Sequence, residues 1–184
     1  MIPIVQKGQP VLREIAKEVP VKSINSPKIQ GVLERMKSAL DSQDDGVAIA
    51  APQIGESLRI FVVSERALDV PDDVSERRKE PKNDNKKYGH LVFINPVLTK
   101  ISKEKALLEE GCLSVRYLYG KIMRAKKATV TAFDEQGKKF TRGASGLMAQ
   151  IFQHETDHLE GKLFIDEAVE VKDIPPIDNQ NTAN

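Results

Sequence analysis

The 184-residue chain predicts an α+β fold: an N-terminal amphipathic helix, strands forming antiparallel or mixed sheets, and a C-terminal helix that carries histidines. Three observations predict it. Apolar residues recur at helical spacing from Ile29 to Leu40, and several short runs are rich in β-branched residues. A second helical stripe then runs from Leu147 to His158. No internal repeat is visible.

The elements follow in order. Ser26-Pro27 reads as an N-cap followed by proline at the first helical position. Ile29, Val32, Leu33, Met36 and Leu40 then mark one face of a helix ending near Asp44. Gly46-Val47-Ala48-Ile49-Ala50-Ala51-Pro52-Gln53-Ile54-Gly55 is a run of small and apolar residues interrupted by one glutamine. Small residues permit close backbone approach, which suits the wall of a cleft, and the Gln53 amide can hold an oxyanion. Taken alone, a tight helix-to-strand crossing with an incidental polar residue is the simpler reading of this run. Residues 58–63 and 91–94 read as buried strands. Between them, residues 64–90 carry as many basic as acidic side chains with no apolar period. That is the pattern of a solvated, mobile surface insertion, with docking of a partner as the alternative. His90 at its end reads as structural. Residues 129–133 form another strand, turning through Asp134-Glu135-Gln136-Gly137 into residues 138–141. Ser145 caps the last helix and Gly161 stops it. Residues 1–172 read as one domain, and 173–184, with Pro175-Pro176 and a polar run, as a disordered tail.

Composition excludes more than it selects. Lys and Arg number 28 against 27 Asp and Glu, so the net charge of +1 gives no signal for nucleic acid. The first residues lack a charged segment followed by a long apolar one, and no stretch approaches the length of a membrane span. One cysteine cannot form an internal disulfide. Cytoplasm is the expected compartment.

The most informative pattern is His154-Glu155-Thr156-Asp157-His158, which holds two of the three histidines. On a helix, side chains at i and i+4 share a face, so both imidazoles can reach one metal ion. Glu155 beside the first histidine can act as general base without ligating. Leu147, Ile151, His154 and His158 share one helical face, with Met148, Phe152 and Leu159 adjacent. Two imidazoles on an inward stripe are hard to satisfy without a cation. A catalytic metal needs a third protein ligand, leaving one position open. Phe164 stands where an extended histidine motif would place that ligand, so Glu167, Glu170 and Cys112 are the candidates. Cys112 lies in Glu110-Gly111-Cys112-Leu113-Ser114, a turn-like segment between two strands. It reads equally as a small buried hydrophobe or as a thiolate ligand.

Three ordered segments together resemble the peptide deformylase family. They are the run from Gly46 to Gln53, Glu110 to Ser114, and Gln153 to Gly161. Pro10-Val11-Leu12-Arg13 and Leu163-Phe164-Ile165-Asp166 extend the resemblance over most of the chain. The resemblance implies sheets packed around a central metal-binding helix. It implies Cys112, His154 and His158 as ligands of one divalent ion, with iron(II) expected and zinc, nickel or cobalt as substitutes. Glu155 is then the catalytic base, and the Gln53 amide and Leu113 N–H hold the oxyanion. The implied substrates are N-formylmethionyl nascent peptides, bound by strand addition along a wall that includes Gly46, Val47, Ala48, Leu108, Glu110, Gly111, Leu147, Gln150 and Ile151. Transient ribosome association is compatible with such a substrate, although the tail is too short and proline-broken to serve as a docking helix.

Several positions depart from the family pattern. Ala48 and Ile49 replace glycine and leucine, Gln150 replaces arginine or an aliphatic residue, and Val115-Arg116 replaces a proline-containing continuation. Met123-Arg124 keeps the family's arginine without the proline before it. None removes a ligand, the base or the oxyanion glutamine. Two rival readings remain: a metallopeptidase using a downstream glutamate, and a formyl-peptide-binding relative weakened by Ala48.

Overall fold

The computed structural model describes residues 2–69 and 87–175. Its strands are β1 (Ala48–Ala50), β2 (Ile60–Ser64), β3 (His90–Ile101), β4 (Lys105–Gly111), β5 (Leu118–Ala125), β6 (Lys127–Phe133), β7 (Lys139–Ser145) and β8 (Val169–Asp173). The helices are α1 (Pro27–Asp41), the short α2 (Arg66–Asp69) and α3 (Gly146–Leu159). One sheet has the order β1-β2-β3-β6-β7 and the other β4-β5-β8, with neighbouring strands antiparallel throughout. The α+β expectation holds.

Alternation along β2 creates the layers. Ile60 and Val62 pack with Ile29, Val32, Leu33, Met36 and Leu40 of α1. Phe61 and Val63 pack with Met148, Ile151, Phe152 and Leu159 of α3. A strand buried on both faces reads as a continuous apolar run, which is how residues 58–63 announce themselves. Phe61, Phe93 and Phe152 form an aromatic wedge under α3, with ring centroids 4.5 Å apart for the first pair and 5.3 Å for Phe93 and Phe152. Burying each such ring stabilises by roughly 1.5–3 kcal/mol. Helix α3 touches β1, β3, β5, β6 and β7, so it is the central element on which both sheets converge.

The element ends have local causes. The Ser26 hydroxyl accepts the Ile29 N–H, with Pro27 opening α1. The helix stops at Asp41, short of the expected Asp44, because the Ser42 hydroxyl donates to the Ala39 carbonyl at 2.7 Å. β3 runs seven residues past the predicted end at Ile94, to Ile101. Asn95-Pro96 looks like a stop, but the strand absorbs it as a register shift with Asn95 at φ 50°. The Asn95 amide pairs with both backbone groups of Val19, at 2.8 and 2.7 Å, and so holds that bend. Asp173, assigned to the tail on sequence, belongs to β8 on the edge of the small sheet. Most of the 64–90 insertion and the tail from residue 176 lie outside the described residues. His90 opens β3 and its Nε2 meets Asp41 at 2.8 Å, a structural tie to the end of α1.

Gly161 stops α3 for two reasons. Its φ is +71°, and a Cβ there would lie 2.6 Å from the Arg13 carbonyl oxygen. Gly161→Ala should therefore cost about 2 kcal/mol or more, lowering Tm by roughly 5 °C in thermal unfolding. An unchanged Tm would mean that the segment around Arg13 yields freely.

Candidate active site

Three separate stretches meet at one point. Cys112 ends the β4 strand's continuation, while His154 and His158 project from successive turns of α3. One ligand atom from each lies within 4.8 Å of the other two. Cys112 Sγ is 3.2 Å from His158 Nε2, and the two imidazole centroids are 5.0 Å apart. A tetrahedral ion with bonds of about 2.0–2.3 Å separates its ligands by roughly 3.5 Å, so this donor set fits a borderline divalent metal. The downstream glutamates do not join it. Glu170 is exposed and pairs with Lys121 at 2.6 Å, and Glu167 is exposed. Phe164, in the position that rules out a third histidine, stacks on His154 at 6.3 Å.

His154 is held by a buried ionic network. His154 Nδ1 sits 2.8 Å from Glu110 Oε2, which leaves Nε2 to face the sulfur. Arg124 grips the same carboxylate with two nitrogens, at 2.8 and 3.0 Å, and reaches Asp157 at 2.6 Å. Burial pushes the Glu110 carboxyl up, but the hydrogen bonds from His154 and Arg124 outweigh it and hold the pKa at about 2. Burial alone would lower His154, yet its bonds to Cys112 and Glu110 raise it well above the ordinary histidine value. Among the described residues His158 has no carboxylate partner and its Nδ1 is unpaired, and burial followed by the nearby His154 charge drives it well below. A carboxylate behind a ligating imidazole fixes the ring and raises its basicity as a ligand. Glu110, expected among the peptide contacts, places both oxygens on protein groups.

Glu155 is 3% exposed, and its Oε2 has no hydrogen-bond partner. Burial raises its pKa from 4.5 to about 7, with His154 opposing the shift. A lone buried carboxylate beside a metal-ligand set is suited to accept a proton near neutral pH. The Gln53 side-chain Oε1 accepts the Ala50 N–H at 2.8 Å, which turns its amide nitrogen to within 3.5 Å of Cys112 Sγ. That nitrogen also reaches Ser114 Oγ at 3.2 Å. The Leu113 N–H makes no backbone hydrogen bond among the described residues.

A cavity of about 260 Å³ opens over these groups. Gly46, Val47, Ala48, Gln53, Glu110, Gly111, Leu113, Leu147, Gln150, Ile151 and Glu155 line it, as do Cys112 and His154. Leu108 is not among the lining residues: it lies half-buried, opposite Ile122 on the β4–β5 hairpin. Ala48 has ordinary strand geometry in β1, so its methyl group strains nothing. Gly46 is closely packed: a Cβ there would come within 3.1 Å of a Leu113 methyl, which would have to shift. The Gln150 amide donates to the Glu109 carbonyl at 2.8 Å and approaches Glu110 at 3.3 Å. Sequence reasoning assigned no role to Arg124, Asp157, Asp45, Tyr117 or Tyr119. Arg124 and Asp157 serve the histidines, and the other three line the cavity. The aspartate inside the two-histidine motif was the available signal, and it went unused.

Comparison with known proteins supplies the family. A sequence profile of polypeptide deformylase matches residues 1–173. The chain is 40% identical over 168 residues to peptide deformylase 1A, chloroplastic/mitochondrial, of Arabidopsis thaliana, covering 90% of this chain and 61% of that protein. It is 40% identical over 165 residues to peptide deformylase of Carboxydothermus hydrogenoformans, covering 90% of this chain and 91% of that protein. The chain thus spans about three fifths of the plant relative and nearly all of the bacterial one. Among solved structures, the Met-Ala-Ser-bound class I type b peptide deformylase of Acinetobacter baumannii superposes with a TM-score of 0.75 at 31% identity. That alignment covers 90% of this chain and 97% of the other. With the three ordered segments, the metal-ligand cluster and these matches in agreement, the chain belongs to the polypeptide deformylase family.

Proposed function

We propose that the protein is a metal-dependent amide hydrolase that removes the formyl group from N-formylmethionyl peptides, releasing formate. The observation that carries this reading is the convergence of Cys112, His154 and His158 beside the buried Glu155 carboxyl, one oxygen of which has no partner among the described residues, with Cys112, His154 and Glu155 lining one cavity. When bound, a divalent metal, iron(II) by preference, lowers the pKa of a water and polarises a carbonyl oxygen. Glu155 takes the proton of the attacking water. The Gln53 amide and the Leu113 N–H donate to the oxygen that becomes negative as the formyl carbon turns tetrahedral. Glu155 then returns the proton to the leaving amine, which is the balanced use of one carboxyl as base and acid. Leu147, Ile151 and Val47 offer apolar contact to the methionine side chain. A relative solved with Met-Ala-Ser supports a peptide in this cavity. Residues 1–173 act as one catalytic domain in this reading.

The cytoplasm is the proposed compartment, because a thiolate ligand is kept reduced there. Among the described residues, no helix is long and apolar enough to cross a membrane. Transient contact with the ribosome follows from a nascent-chain substrate.

Formate release from formyl-Met-Ala-Ser, set against hydrolysis of a longer unformylated peptide, tests the reading. Only the first should react. With the Glu155 pKa at about 7, kcat/KM should fall as pH drops below 7 and level off above it. Cleavage of the unformylated peptide would instead favour the peptidase reading.

A further inference from the structure

We infer that Arg116 is a positioning residue, whose ion pair with Asp45 straps the two walls of the cavity together at its mouth and so sets how tightly the peptide beyond the formylated methionine is held. This rests on the cavity being the formyl-peptide site. The cavity has walls from two distant stretches: Gly46 to Ala48 entering β1, and Gly111 to Leu113 leaving β4. An exposure gradient separates its floor from its mouth. Gln53 and Glu155 at the floor are 2% and 3% exposed, whereas the Asp45 side chain is 50% exposed.

The walls are joined at both levels. At the floor, Gln53 spans from the first wall to Cys112 and Ser114 of the second. At the mouth, Arg116 Nη1 meets Asp45 Oδ2 at 2.6 Å, Nη2 meets Oδ1 at 3.0 Å, and Nη2 also donates to Gln43 Oε1 at 3.1 Å. The planar guanidinium fork matches a carboxylate in two places, which fixes distance and angle together. Asp45 sits on a loop pinned from behind, since Arg66 donates to the carbonyls of Asp44 and Gly46. One wall is therefore fixed to the body of the fold, and Arg116 draws the other to it. A partly exposed pair of this kind contributes little to global stability, so its loss acts on the cleft and leaves the fold intact.

The test is a set of KM and kcat values for Arg116→Ala, Asp45→Asn and the double variant, each metal-loaded. The substrates are formyl-Met-Ala-Ser and formyl-methionine amide, which ends before the mouth. Dissociation constants for Met-Ala-Ser, measured by calorimetry, give a second readout that needs no turnover. Each single variant should raise KM for the tripeptide, and Kd for Met-Ala-Ser, roughly two- to fivefold with kcat nearly unchanged. The double variant should be no worse than either single one, and formyl-methionine amide should be indifferent. Unshifted KM and Kd values overturn the inference, and so does an equal rise for both substrates or a double effect equal to the product of the singles. A wild type that releases no formate yet shows the Kd pattern would overturn the deformylase reading and leave the strap standing.

Discussion

Glu155→Gln should bind metal as wild type does and lose deformylation by about two to four orders of magnitude. The amide has the shape of the carboxyl and can donate or accept a hydrogen bond, but it cannot take a proton from water. Glu155 lies outside the ligand cluster, so metal content should not change. Stability should hold or rise. The wild-type carboxyl is buried with one oxygen partnerless, and ionising it in place opposes folding. With its folded pKa raised to about 7, the folded protein holds a proton that the unfolded chain releases above 4.5. Wild type therefore loses stability as pH rises through this window, and the glutamine variant should not. Metal analysis, formate release and thermal unfolding at two pH values check all three points. Full activity in the variant would remove Glu155 from the mechanism.

Arg124→Met should be the most destabilising substitution near the site. Arg124 and Glu110 are 7% and 3% exposed in their side chains, and removing one partner strands the other charge in the interior. Such breaks cost about 3–5 kcal/mol. At this chain length the loss corresponds to a Tm lower by about 10 °C or more. The same network sets an acid limit. Glu110 has its folded pKa depressed to about 2, so its stabilisation is complete above 4.5 and is lost as pH falls toward 2. The Arg124→Met variant should lose part of that acid dependence, because one of the two partners that hold Glu110 ionised is gone while His154 remains. Glu110, the anchor behind the His154 ring, also loses the guanidinium that orients it, so metal affinity should drop by about tenfold. Calorimetric unfolding across pH and competitive metal titration measure both effects. A Tm within 2 °C of wild type would show that the pair is solvated and adds little.

What the sequence reveals about this molecule follows from the range of the interactions involved. Helix α3 is legible because its evidence is local: the histidine spacing, the apolar stripe and Gly161 all lie within one short segment. The β2 strand is legible because both of its faces are buried. β8 escapes notice because all five residues are exposed and charged ones alternate with valine, so no apolar run marks it. β3 is read short because proline normally ends a strand, and the Asn95 contact with Val19 that permits the bend comes from far away in the chain. The same limit governs the site. Nothing near residue 112 distinguishes a ligand from a buried hydrophobe. Folding of the β4–β5 hairpin against α3 brings the sulfur to His158. Glu110 belonged to a recognised segment, but its work on His154 depends on Arg124 from the opposite strand of that hairpin. Leu108 shares a face of β4 with Glu110 but lies further up the strand, and the strand pattern does not reveal how far along β4 the cavity reaches.

X-ray absorption on the zinc-loaded protein tests the central claim most directly, since it reads the atoms around the ion. The geometry of Cys112, His154 and His158 predicts one sulfur neighbour at about 2.3 Å and two imidazole nitrogens at about 2.0–2.1 Å. A shell of nitrogen and oxygen alone, unchanged by Cys112→Ala, would contradict it.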